Sequence, residues 1–194
     1  MLISKKKNVN AESGATSVAP DLVKAVFSQS FIDRFAVAEE ESERDYAGAA
    51  MTIATNALAM RAKSRGELAA QLKRRGIPLD VANDVLDRLE RSKLIDDLEY
   101  ARIWSRTRLS SKKISKRVLA QELRKKEVAE DLISIALDEI STDDEYEAAL
   151  QLGERKARSL ANYAEEIRER RITSALARKG YNFSIISRVL KEIA

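Results

Sequence analysis

The sequence predicts an all-α protein: three tandem three-helix repeats, helix-turn-helix-like units in an elongated, curved array, behind a disordered N-terminal tail. Three observations carry this prediction. Only 6 Gly and 2 Pro punctuate 194 residues, whereas Ala, Leu, Glu, Lys and Arg, the strong helix formers, abound. Residues 64–89, 115–140 and 168–193 align without a gap. Ahead of each lies an acidic residue followed by Tyr, at Asp45-Tyr46, Glu99-Tyr100 and Glu145-Tyr146, so the repeat period is roughly 50 residues.

Met1–Ala19 is polar and small, with a Lys5–Lys7 run, and reads as a disordered tail (1–19). Pro20 suits a first helical position. Val23, Phe27, Phe31 and Phe35 then share one i, i+4 stripe, so Pro20–Val37 reads as an amphipathic helix, either docked on the body, the favoured reading, or waiting for a partner. Glu39–Asp45 reads as an acidic linker, which closes a 20–45 segment. The repeats follow at 46–95, 96–142 and 143–194.

Within the aligned stretches, columns such as Leu68/Leu119/Ile172, Leu72/Leu123/Leu176, Ile77/Val128/Tyr181 and Val85/Ala136/Val189 are apolar in every copy. Two columns are always basic, Arg74/Lys125/Arg178 and Arg75/Lys126/Lys179. Each stretch reads as helix, turn, helix, the basic pair favouring the C-terminal end of the first helix dipole. Gly76 and Gly180 fit the left-handed turn position that follows; Glu127 stands there in the middle copy, where the turn is strained or closes differently. No unit can bury its apolar face well alone, which is why such units stack.

The stretch Leu89–Arg108 joins two of these units. Leu94 and Ile95 close one apolar face, and Asp96 and Asp97 supply a cap with first-turn negative charge. Tyr100, Ile103, Trp104 and Thr107 follow at the spacing of a buried stripe, with Arg102, Arg106 and Arg108 off it.

Composition removes whole reaction classes. Without Cys there are no disulfides, thiolate nucleophiles or Cys-ligated zinc; without His the usual neutral-pH base and commonest transition-metal ligand are missing. Neither a G-x-x-x-x-G-K-[ST] loop nor a G-x-G-x-x-G turn occurs. Carboxylates Asp96 and Asp97 could hold Mg²⁺, but adjacent acids at a helix start read as caps. No apolar run approaches the roughly 18 residues of a membrane span, and Met1–Lys7 lacks a signal-peptide core. A non-enzymatic, cytoplasmic, monomeric protein without a cofactor is expected.

Charge points to a partner. The formal net charge is +4, but residues 1–46 hold six Lys/Arg against eight Asp/Glu, so the body is more basic than the whole. Arg102–Lys126 has ten Lys/Arg against Glu122 alone, and Arg61–Arg75 has six against Glu67. Such clusters suit phosphate backbones or acidic protein surfaces. Trp104 could stack on a base, although its stripe position favours core packing, as do the turn positions of Tyr181 and Phe183.

The segment LIDDLEYA, Leu94–Ala101, resembles the signature of the RecX family, bacterial regulators of the RecA recombinase. Supporting matches are Leu68-x-x-x-Leu72 with Arg74-Arg75-Gly76, Gln121-Glu122-Leu123, and Ala177-Arg178-Lys179-Gly180-Tyr181. The resemblance covers about residues 47–193; Glu127 and Lys113 depart from it where the family often has Gly. It implies a non-enzymatic protein lying in the groove of the RecA–DNA filament, where it modulates, in the inhibitory direction, ATP hydrolysis, strand exchange and coprotease activity in DNA repair and the SOS response. Contact with single- or double-stranded DNA would be direct or through the filament. On that reading Asp96, Asp97, Tyr100 and Ala101 form a mainly architectural motif. The filament- or DNA-binding candidates are Arg102, Arg106, Arg108, Lys112, Lys113, Lys116 and Arg117, with Arg74 and Arg75 weaker. A plain DNA-binding helical protein and a scaffold for another protein are the alternatives.

Overall fold

The computed structural model describes residues 29–193, among which all regular structure is helical. The expected 1–19 tail and the Val23, Phe27, Phe31 and Phe35 stripe lie outside the described residues and side chains. The chain divides after Arg44. Helix α1 (Gln29–Met60) runs through that point, so the expected acidic linker Glu39–Asp45 is helical instead. The high helix propensity of Glu and Arg outweighs its like charges, and Arg44 pairs with Glu40 one turn back at 3.4 Å.

From Asp45 onward the chain forms three three-helix units. The first comprises the end of α1 with α2 (Arg65–Arg74) and α3 (Leu79–Arg91). The second comprises α4 (Asp97–Lys112), α5 (Lys116–Arg124) and α6 (Glu130–Asp138). The third comprises α7 (Thr142–Ser159), α8 (Glu165–Arg178) and α9 (Phe183–Ile193). Each has its own core, and the aligned apolar columns lie at its centre: Leu72, Leu123 and Leu176 are all wholly buried.

One device closes every turn between the second and third helices. The N–H of Ile77, Val128 and Tyr181 reaches back to the carbonyl of Leu72, Leu123 and Leu176 at 3.2–3.3 Å. This is the six-to-one bond of a Schellman cap, with an apolar contact between the same two residues. The cap requires a left-handed residue, met by Gly76 (φ 78°) and Gly180 (φ 89°), and also by Glu127 (φ 57°). The middle unit thus closes by the same geometry despite lacking Gly, at the strain cost a side chain bears there. Lys113, the other departure, is likewise left-handed, ending α4 at φ 50°.

The α4 stripe is rotated from its predicted position. Tyr100, Ala101 and Ser105 are buried and Trp104 half-buried, but Ile103 (54% exposed) and Thr107 face outward. Small residues at 101 and 105 let α4 approach α5 and α6 closely, so the buried arc follows them and not the larger Ile103. Leu94 is exposed as well, because the left-handed Lys93 turns it away while Ile95 enters the first core. Phe183, the first residue of α9, is 82% exposed, and Ile186 and Val189 fill the core that was also expected to take Phe183. Tyr46 lies inside α1, not at a helix start, and is more exposed than Tyr100 and Tyr146.

Candidate interaction surface and the joints between units

The motif Leu94–Ala101 sits where the first unit meets the second. Asp96 is the N-cap of α4, its carboxylate accepting the Glu99 N–H at 3.0 Å. Asp97 turns the other way and accepts the Arg65 N–H at 2.7 Å, capping α2 of the preceding unit. Burial pushes the Asp97 carboxyl above its usual range, against the bond from Arg65. Tyr100 donates its hydroxyl to Glu67 of α2 at 3.3 Å and stacks on Trp104. Ala101 is wholly buried.

The same joint recurs one unit on. Ser64, the N-cap of α2, donates its hydroxyl to the Lys126 carbonyl; Ser115, the N-cap of α5, donates its N–H to the Lys179 carbonyl at 3.0 Å. Both serines are buried. Glu145 accepts the Lys116 N–H at 2.9 Å, as Asp97 does that of Arg65. Glycine makes room for each approach: a Cβ on Gly66 would lie 2.2 Å from the Cβ of Glu127, and one on Gly180 would lie 2.4 Å from Val118 Cγ2. In each case the second member of the repeated basic pair offers its backbone carbonyl to the preceding unit, and Lys126 adds its charge as well.

Glu67 is the electrostatic centre of the first joint. Arg61 and Lys126, from different units, bind it at 3.1 and 2.7 Å. Burial alone would raise its carboxyl, but these hydrogen bonds outweigh burial and hold it down to about 2, from 4.5 ordinarily. Burial, then the Glu67 charge, pushes the Tyr100 hydroxyl up to about 12. Since the folded value of Glu67 lies below the unfolded one, its stabilisation is complete above about pH 4.5 and fades as the pH falls toward 2. Thermal melts of the wild-type and Glu67→Gln chains are therefore expected to differ near neutral pH and converge in acid. A gap independent of pH would remove Glu67 from that role.

The predicted basic candidates divide into two sets. Arg102 and Arg106 both bind Glu139, the residue that ends α6, at 2.5 and 3.1 Å. Arg108 binds Glu122 at 3.1 Å and lies over the Trp104 ring. The Trp104 indole N–H also donates to Glu122, at 2.9 Å, so this ring is occupied from within. Lys113 donates to Gln151 at 2.5 Å, and Arg117 reaches the Gly180 carbonyl at 3.4 Å. In contrast, Lys112, Arg74 and Arg75 are exposed and take no ion-pair partner among the described residues, nor does the Lys116 ammonium. Lys63 is lowered by burial first, then by the positive field of Arg61, Lys126 and Arg74, which puts Arg74 in the same electrostatic region as the second unit.

Sequence reasoning missed the counter-charges. Glu67 and Glu122 were legible in principle, each being the lone acid in a basic window. Glu139 was not, since its partners lie a helix pair away and meet it only through the packing of α4 on α6.

Comparison with known proteins agrees with this architecture. Models of the RecX first, second and third three-helix domains match residues 50–89, 96–137 and 143–190. The "Regulatory protein RecX" of Streptomyces coelicolor is 36% identical over 152 residues, covering 78% of this chain and 81% of that protein. That of Mycolicibacterium smegmatis is 40% identical, covering 70% and 74%. The crystal structure of RecX from Lactobacillus salivarius shares the fold with a TM-score of 0.71 at 23% identity, over 77% of this chain and 97% of that one. With three units in order, joined by the motif at 94–101, this chain belongs to the RecX family of regulatory proteins.

Proposed function

We propose that this chain is a non-enzymatic, monomeric, cytoplasmic regulator of the RecA recombinase. It acts by lying in the groove of the RecA–DNA filament and reducing ATP hydrolysis, strand exchange and coprotease activity. Family membership supports the partner. The observation that carries the contact surface is the division of the basic residues: internal carboxylates engage Arg102, Arg106 and Arg108 but leave Lys112, Lys116, Arg74 and Arg75 for an external one. Neighbouring units held by Ser64, Asp97, Tyr100, Ser115 and Glu145 would keep these cations at a set spacing across successive recombinase subunits.

The test is ATP hydrolysis by RecA on single-stranded DNA with this chain titrated in at fixed salt, with and without excess DNA. Inhibition that survives excess DNA is expected. Inhibition abolished by more DNA would indicate sequestration of DNA and sink the filament reading. The Lys112→Ala/Lys116→Ala chain is expected to need about ten-fold more protein for the same effect, the equivalent of roughly 1.4 kcal/mol, with an unchanged melting curve. Unchanged potency would move the contact elsewhere.

A further inference from the structure

We infer that the third unit carries a separate binding site for the phosphodiester backbone of a single-stranded nucleic acid, in a concavity between α7 and α8. Its volume is about 370 Å³, and Lys156, Leu160, Arg170, Arg171, Ser174 and Arg178 line it. The arrangement follows from helical periodicity: Arg170, Ser174 and Arg178 stand at i, i+4 and i+8 on α8, which aligns them on one face. Lys156 faces them from the last turn of α7.

Charge compensation distinguishes this site from the central cluster. Among the described residues none of these four cations forms an ion pair, whereas Arg102, Arg106 and Arg108 all do. Glu165, Glu166 and Glu169 share α8 with the arginines, yet no bond joins them. Arg171 instead lies 4.2 Å from the centre of the Tyr163 ring. Four like charges lining one concavity repel each other, and an anion is what relieves that.

Guanidinium forks beside a hydroxyl match phosphate oxygens in number and geometry. Arg171 covers one face of the Tyr163 ring, and the ring is still 45% exposed, which leaves room for a neighbouring base to stack beside the concavity. This favours a nucleic-acid strand over an acidic peptide, which has no use for the ring. The inference does not rest on the recombinase reading.

The experiment uses the full chain and a fluorescein-labelled oligothymidylate, followed by anisotropy across a salt series with no recombinase present. The R170A/R178A chain is expected to bind about ten-fold more weakly, and its log–log salt slope to fall by about 1.4, or 0.7 for each lost phosphate contact. K112A/K116A is expected to lose less. The melting curve of R170A/R178A should match the wild type, since both arginines are exposed and unpaired. Should that pair melt early, R170K/R178K, which keeps the charge, is expected to lose at least about three-fold with the slope retained, because an ammonium cannot form the bidentate contact. An unchanged salt slope in R170A/R178A, equal losses in K112A/K116A, no loss in R170K/R178K, or displacement by polyglutamate as effective as by unlabelled oligonucleotide would each overturn the assignment. Failure here would leave the ATP hydrolysis result untouched, so the two readings are separable.

Discussion

Tyr100→Ala is expected to lower the unfolding free energy by about 3–5 kcal/mol, the usual range for truncating a buried aromatic to Ala. The ring is 8% exposed, belongs to the core of the second unit, and stacks on Trp104 with centroids 5.9 Å apart. Removing it also takes a hydroxyl donor from Glu67, at the point where the first unit meets the second. Packing is the larger part of this effect. Tyr100→Phe keeps the ring and loses one 3.3 Å hydrogen bond, so about 0.5–1.5 kcal/mol is expected from it. Urea denaturation followed by circular dichroism measures both. A Tyr100→Ala chain within about 1 kcal/mol of the wild type would place the ring outside the core.

Gly180→Ala is expected to cost about 2–5 kcal/mol, whereas Gly76→Ala at the equivalent turn costs about 1–2 kcal/mol. Both glycines are left-handed, so either substitution strains the backbone. They differ in what surrounds them. An added Cβ meets nothing within 4 Å at Gly76, but at Gly180 it meets Val118 Cγ2 at 2.4 Å and the Ser115 hydroxyl at 2.5 Å. Val118 and Ser115 belong to the second unit, so the excess loss reports how tightly the second and third units are joined. Ser115 is buried and already committed to α5 and to the Lys179 carbonyl, so it cannot move aside cheaply. Equal losses in the two variants would mean that this joint yields freely.

The Schellman turns were legible in the sequence because the cap is local. It needs a left-handed residue just past the helix end and an apolar residue next to it, and Gly76-Ile77 and Gly180-Tyr181 state this directly. The columns around Leu72, Leu123 and Leu176 were legible for a similar reason: three copies of one pattern cancel the accidents of any single copy. The outward face of Ile103 was not. Periodicity marks an apolar arc, but when Ala101 and Ser105 sit beside larger residues, the neighbouring helices choose which part of the arc is covered.

The basic candidates show the limit most clearly. Ten cations between Arg102 and Lys126 are visible in the chain, and they establish a positive region whatever the fold. Which of them can meet a partner depends on whether Glu139, Glu122 or Gln151 reaches them first, across separations of 14 to 38 residues. Arg170, Arg171 and Arg178 received no weight as a group in the sequence because Glu165, Glu166 and Glu169 are interspersed nearby and make the segment look balanced. By itself the sequence determined the all-α class, the three-unit repeat, its caps and its core, since each depends on contacts within a turn or two of helix and on burial of a repeated apolar pattern. The tertiary structure alone decided which charges are neutralised and which stay available, because Coulomb attraction acts between groups that only folding brings within a few ångströms.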